Sequence, residues 1–112
     1  MSLTPFEKTI ARFLRYLKVE RNSSELTIKS YREDLTILND WFAETNGRSP
    51  VLKSITPRDL RSYVAALHDA GYAPTSISRR LASLRSFFKF AQREGLVDSN
   101  PAKPLRLSLI HI

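Results

Sequence analysis

The chain has 112 residues, of which 42% are hydrophobic and 26% charged, a composition that fits one soluble globular domain and not a chain disordered throughout. Its formal net charge of +7 and its isoelectric point near 10.1 favour a polyanionic partner, most often nucleic acid. It has no cysteine, which excludes disulfides, cysteine-bound zinc and thiol chemistry and fits a cytoplasmic location.

The first predicted helix opens with a cap, a proline and a capping-box glutamate, at Thr4, Pro5 and Glu7. Its apolar stripe recurs at helical spacing and comprises Phe6, Ile10, Phe13, Leu14 and Leu17. The helix is expected to end near Arg21-Asn22. Its outward cations Lys8, Arg12 and Arg15 have no small residues between them, so we interpret them as a solvated face that at most steers phosphates.

The second predicted helix has Ser24 as its N-cap and ends at Asn46-Gly47, a common helix C-terminus. Its core stripe comprises Ile28, Tyr31, Leu35, Leu38 and Phe42. The first two turns interleave short hydroxyls with cations, and these residues are Thr27, Lys29, Ser30 and Arg32. A plain surface helix more often carries Glu–Lys pairs, so the pattern favours a helix start that meets a negatively charged partner.

The third and fourth predicted helices also begin beside prolines. The third runs from Thr56-Pro57 to Gly71, and its stripe comprises Leu60, Tyr63, Val64 and Leu67. The fourth runs from Pro74-Thr75 to about Glu94, and its stripe comprises Ile77, Leu81, Leu84, Phe88 and Ala91. Four amphipathic helices with short connections, and no segment typical of a strand, predict an all-α fold in the form of a compact bundle.

The domain organisation follows from these elements. We assign residues 4–98 to one helical domain, and residues 99–112 to a linker or a disordered tail. Asn100-Pro101 and Pro104 indicate a connection rather than a further element. The apolar residues Leu107–Ile112 are assigned no structure.

The face of the fourth helix opposite its stripe carries small residues between arginines. At about 100° per residue, this face comprises Thr75, Arg79, Ala82, Ser83, Ser86 and Arg93. Small side chains let a helix approach DNA closely, while arginines and hydroxyls bond phosphates or base edges. The alternative is a polar face in contact with solvent. Serine is an unusual choice for such a face because it is a weak helix former. Phe90 falls on the same side, where it is either exposed or docked onto another helix or domain.

Nothing in the sequence indicates catalysis, a metal or a cofactor. The two histidines, His68 and His111, are far apart, and three glycines are too few for a phosphate-binding loop. The carboxylate pairs on the second helix have no histidines grouped with them, so we interpret them as a solvated face. No apolar run approaches the roughly 18 residues of a membrane span. We expect no catalytic residue, no metal, no cofactor, no small-molecule substrate and no membrane partner.

Two segments resemble the signatures of the core-binding domain of tyrosine recombinases, the phage-integrase and Xer group. The first segment is SSELTIKSYREDLTILNDW, in which a serine, a threonine three residues on and a Tyr-Arg-x-Asp-Leu run open the second helix. The second is YAPTSISRRLASLRSFFKFAQREGLVDSNPAKPL, with its Arg-Leu-x-x-Leu-Arg-x-Phe run followed by Glu-Gly-Leu and Asn-Pro-Ala. The resemblance covers residues 4–106, with the signatures in the family's order.

The resemblance implies a SAM-like helical bundle that forms half of a C-shaped clamp on duplex DNA, with the second and fourth helices at the major groove. It implies that the following residues contact DNA: Thr27, Lys29, Ser30, Arg32, Thr75, Ser76, Arg79, Arg80 and Ser83. By its spacing Arg80 flanks the core stripe, so covering the edge of the core is its alternative role. The resemblance also implies contacts with other recombinase protomers, as a tetramer on DNA in the full-length parent.

In this family a second domain carries the catalytic arginine, lysine, His-x-x-Arg pair and tyrosine nucleophile. No His-x-x-Arg pair occurs here and the chain stops just past Asn100-Pro101, so we expect a fragment without cleavage activity, from a parent that cleaves and rejoins DNA strands. The alternatives are a catalytically empty DNA binder, or a protein-interaction module whose patch is Phe87, Phe90 and Leu107–Ile112. A free-standing helix-turn-helix repressor fits less well because the fourth helix is long.

Overall fold

The computed structural model describes residues 2–105, which form four α-helices and one short 3₁₀ turn. The helices are α1 (Pro5–Val19), α2 (Glu25–Asn46), α3 (Pro57–Asp69) and α4 (Pro74–Arg93). The 3₁₀ turn, Leu52–Ser54, lies in the connection between α2 and α3. No strand occurs among the described residues, so the all-α class and the four predicted helices are confirmed. Along the same residues, no helix combines the length and apolarity that a bilayer span requires.

Local capping chemistry sets where three of the helices begin. Thr4 Oγ1 accepts a hydrogen bond from the Glu7 amide at 3.2 Å, and Glu7 Oε1 accepts one from the Thr4 amide at 2.8 Å, the predicted capping box. Thr56 and Asp59 form the same box at α3, at 3.1 and 2.9 Å. Ser24 Oγ accepts from the Thr27 amide at 3.1 Å. Each cap satisfies an amide that the helix leaves unpaired, which stabilises it by about 1 kcal/mol.

The described chain divides into two compact units between Leu52 and Lys53. In the first unit α1 packs against α2, and the predicted stripes of both helices are buried except for Leu14 and Tyr31, which are half-buried. The Phe13 and Tyr31 rings meet edge to face, with centroids 5.4 Å apart.

Three hydrogen-bonded side chains connect the start of α1 with the connection after α2 in the first unit. Ser49 Oγ donates to Asn39 Oδ1 at 2.7 Å and lies 2.9 Å from the hydroxyl of Thr4. These bonds tie the connection after α2 to the start of α1, so the buried Asn39 has a hydrogen-bond partner.

In the second unit, the segment after α4 is packed as far as the structure describes it. Pro101, Ala102 and Leu105 are buried. The Asn100 side chain donates to the Arg85 carbonyl at 3.1 Å and accepts from the Ala102 amide at 3.0 Å, and the Arg85 guanidinium donates to the Leu105 carbonyl. The first residues of the predicted linker are therefore held against α4, while Leu107–Ile112 lie outside the described residues.

Helix α4 buries more of its surface than its predicted stripe. That stripe is fully buried, and a second stripe beside it, spaced three, four and three residues apart, is buried as well and comprises Arg80, Ser83, Phe87 and Phe90. The two stripes together cover about half of the helix circumference at 100° per residue. The prediction that Ser83 points away from the core is therefore wrong. Phe87 and Phe90 are also buried, so they cannot form the exposed patch that the interaction-module hypothesis requires.

Candidate nucleic-acid interface

The start of α2 presents the predicted cations at the surface. Lys29, Arg32 and Thr27 are exposed, and Ser30 is half-buried. Thr27 Oγ1 accepts a hydrogen bond from Ser24 Oγ at 3.0 Å, which directs the threonine's own hydroxyl hydrogen elsewhere. That hydrogen can donate to an acceptor such as a phosphate oxygen, while the two cations supply charge.

A groove of about 620 Å³ lies where the end of α1 meets the start of α2, and we call it the corner groove. It is lined by Lys18, Asn22, Ser23, Glu25, Ile28, Lys29 and Arg32. Asn22 turns the chain between the helices with a φ of 48°, a left-handed conformation that asparagine tolerates better than most residues. The Ser23 amide donates to the Leu17 carbonyl at 2.9 Å and holds this turn against α1.

Arg21 stands in the same turn, next to Asn22 in the chain. Its side chain hydrogen-bonds with that of Tyr16, and this bond, with the tyrosine's charge, raises the pKa of the Arg21 guanidinium. Because arginine is already protonated at neutral pH, this rise leaves its charge there unchanged.

Five DNA contacts were predicted on α4. Two of these side chains are exposed and one is half-buried. Thr75 and Arg79 are exposed, and Ser76 is half-buried. Helix α4 has five cations and no acidic residue from Pro74 to Arg93. Three of these cations, Arg79, Lys89 and Arg93, are exposed, and Arg93 lies 3.4 Å from the Glu94 carboxylate at the end of the helix.

The remaining two predicted contacts on α4 are buried. The Arg80 side chain is 9% exposed and its guanidinium carbon lies 4.9 Å from the centre of the Tyr72 ring, a cation–π arrangement. This is the alternative role for Arg80, at the edge of the core. Ser83 is 7% exposed and its hydroxyl donates to the Arg79 carbonyl one turn back, at 3.3 Å. Both side chains therefore offer little surface to a duplex.

Two surface residues of α4, Ser78 and Lys89, were missed in the sequence. Both are exposed, and they share the outer face of the helix with Arg79, Ala82 and Arg93. Their exposure could have been predicted by treating Phe87 and Phe90 as core residues. Counting these rings as buried shifts the expected exposed arc of α4 toward Ser78 and Lys89.

No metal-binding cluster occurs in the described part of the chain, where no three His, Asp or Glu side chains group closely enough to hold an ion. His68 lies 3.9 Å from the carboxylate of Asp69 at the exposed end of α3. The arrangement offers cations and hydroxyls on helix surfaces, a chemistry of anion binding.

Comparison with known proteins identifies the class. The family described as phage integrase, N-terminal SAM-like domain, matches residues 10–95. The chain is 37% identical to tyrosine recombinase XerC of Oceanobacillus iheyensis over 105 residues, which cover 94% of this chain and 34% of that protein. It is 39% identical to tyrosine recombinase XerD of Chlorobaculum tepidum over 99 residues, 88% of this chain and 32% of the relative. No solved structure gives a significant match.

The fold is thus that of a small, all-α SAM-like domain. The chain belongs to the family of phage-integrase N-terminal SAM-like domains, which form the N-terminal part of tyrosine recombinases, and the resemblance seen in the sequence is confirmed. It spans about a third of the length of the curated relatives that it matches.

Proposed function

We propose that this chain is the DNA-binding N-terminal domain of a site-specific tyrosine recombinase, and that it grips duplex DNA at the core recombination site through α2 and α4. The observation that carries the proposal is the exposed basic face of α4, with Arg79, Lys89 and Arg93, in a chain of this family. The proposed contacts are Thr27, Lys29, Ser30, Arg32, Thr75, Ser76 and Arg79, with Ser78 and Lys89 added. Arg80 and Ser83 are omitted because they are buried.

The proposed contacts divide by chemistry. Lysines and arginines neutralise phosphates and release condensed counterions, which gives affinity without sequence information. Arginines can also fork onto guanine in the major groove, and hydroxyls bond either phosphates or bases. The exposed side chains Lys29, Arg32 and Arg79 are suited to the first role, and Arg79, between the small residues Thr75, Ser78 and Ala82, is suited to the second.

The proposal extends to the parent protein. We propose that the parent cleaves and rejoins DNA strands with residues that this chain does not contain, in the cytoplasm, for DNA integration or recombination. Neighbouring protomers on DNA, as a tetramer, are part of the same proposal. The present chain supplies the grip and the protomer contacts.

The test is the salt dependence of duplex binding for Lys29→Ala and Arg79→Ala. We expect the slope of log affinity against log salt to flatten by about 0.9 for each lost phosphate contact, with weaker binding at low salt. Arg61→Ala is the matched control, because Arg61 is an exposed cation on α3 outside the proposed face. A duplex affinity that stays constant over a several-fold range of salt would contradict the proposal.

Two residues of the surface patch that the interaction-module hypothesis requires are buried. Phe87 and Phe90 are 0% and 6% exposed, so they offer no surface to a protein partner. The third member, Leu107–Ile112, lies outside the described residues. No observation on the described residues favours this hypothesis over DNA binding.

A further inference from the structure

The corner groove brings together cations from two helices. Lys18 comes from the last turn of α1, and Lys29 and Arg32 come from the first two turns of α2. All three are exposed. Like charges that line one groove repel one another, and a polyanion between them relieves this repulsion.

The other groove residues suit a phosphate group. Asn22 and Ser23 supply an amide and a hydroxyl, and the buried side chain of Ile28 contributes apolar surface. The groove volume of about 620 Å³ lies in the range of small-ligand sites and is enough for a sugar–phosphate unit. Glu25 also lines the groove, so three cations and one carboxylate leave a formal charge of +2.

We propose that the corner groove seats one phosphodiester of the bound duplex and that Lys18 contacts it together with Lys29 and Arg32. The inference rests on the proposed function and extends the interface to α1 through Lys18, which lies apart from the outward cations Lys8, Arg12 and Arg15 that the sequence assigns to a solvated face. Phosphate contacts fix the position and register of a protein on DNA without reading bases. Lys18 is therefore an affinity residue, and Glu25 opposes binding.

The first test replaces Lys18 by alanine and measures duplex affinity across salt concentrations. We expect the log–log slope to flatten by about 0.9 and the affinity at low salt to fall about three- to tenfold. Lys8→Ala is the matched control: it removes an exposed lysine of the same helix about 15 Å from Lys18, at 1.5 Å per residue and beyond the screening length of about 8 Å at physiological salt. This control should leave the slope unchanged.

The second test predicts a gain in duplex affinity instead of a loss. Glu25→Gln removes the carboxylate from the groove, and we expect duplex affinity to rise about two- to fivefold because a repulsive charge near the phosphate is gone. Glu44→Gln, an exposed residue about 28 Å further along α2, is its control and should change nothing. Glu25 and Lys18 are exposed, so both variants should fold normally.

The outcomes separate the two proposals. If the unmodified chain binds no duplex even at low salt, the proposed function fails. If it binds and Arg79→Ala weakens binding, but Lys18→Ala behaves like Lys8→Ala and Glu25→Gln like Glu44→Gln, the corner groove alone is overturned. Opposite shifts for Lys18→Ala and Glu25→Gln, with both controls unchanged, support the groove as a phosphate site.

Discussion

At the scale of single residues, Arg79 and Arg80 are neighbours in the chain with opposite environments. Arg79 is exposed on the outer face of α4, whereas Arg80 is 9% exposed and stacks on the ring of Tyr72. Tyr72 lies two residues before α4 begins at Pro74. We therefore propose that Arg80 is a positioning residue at the entry to α4 and that Arg79 is a DNA contact.

This contrast predicts a division between stability and binding. Arg80→Ala should lower the free energy of unfolding by about 1–3 kcal/mol, because it removes a cation–π contact and packed methylenes from a buried site. Arg80→Lys should restore only part of that loss, since an ammonium lacks the planar face that stacks on the ring. Urea denaturation measures both values.

Arg79→Ala is the internal control for this prediction. It should change the free energy of unfolding by less than about 0.5 kcal/mol, as expected for an exposed side chain, while weakening duplex binding. An Arg80→Ala variant as stable as the unmodified chain would contradict the positioning role.

The exposure of charged residues could be predicted from the sequence, whereas the exposure of small polar residues could not. Lys29, Arg32 and Arg79 are exposed as expected, because cations at helical spacing away from an apolar stripe rarely lie in a core. Ser83 was misplaced because serine is compatible with either side of α4. Its burial depends on which faces of the helix are covered, and that is decided by residues distant in the chain.

At the scale of elements, the starts of the helices were predictable because caps are local chemistry. Thr4, Ser24 and Thr56 all accept the expected backbone hydrogen bonds. The end of α1 was less predictable: the helix stops at Val19, before the expected Arg21-Asn22. The left-handed turn at Asn22 lets residues 20–22 lead into α2 without continuing the helix.

Helix α4 lacks the cap that the other helices have, which predicts a stabilising change. Its N-cap position is Ala73, in an extended conformation with φ −64° and ψ 148°, where, among the described residues, no side chain supplies a capping bond. Ala73→Ser and Ala73→Asp should each raise the free energy of unfolding by about 0.5–1 kcal/mol, because each supplies an oxygen for the open amides. Thermal or urea denaturation measures the gain.

The same pair of variants tests the proposed interface. Ala73→Asp places a negative charge beside Thr75 and Ser76, so it should weaken duplex binding, whereas Ala73→Ser should not. Ala73→Ser is thus a control for stability and geometry. Equal duplex affinities for the two variants would argue that DNA does not meet the start of α4.

At the scale of the whole molecule, composition and charge indicated a basic globular domain and the apolar periodicity an all-α fold, and the four described helices confirm the helical class. The segment after α4 was harder to predict. Asn100-Pro101 and Pro104 are typical of a linker, yet Asn100 bonds the Arg85 carbonyl and Ala102 is buried. Prolines predict the absence of a helix but not whether an irregular segment packs.

The central claim is that α2 and α4 carry the DNA-binding surface. The most direct measurement is to titrate the ¹⁵N-labelled chain with duplex DNA at low salt and to follow the amide chemical shifts. The account predicts the largest shifts at the start of α2 and on the outer face of α4, around Thr27 to Arg32 and Thr75 to Arg79, and little change along α3. Shifts concentrated on α3, or no shifts with any duplex, would contradict it.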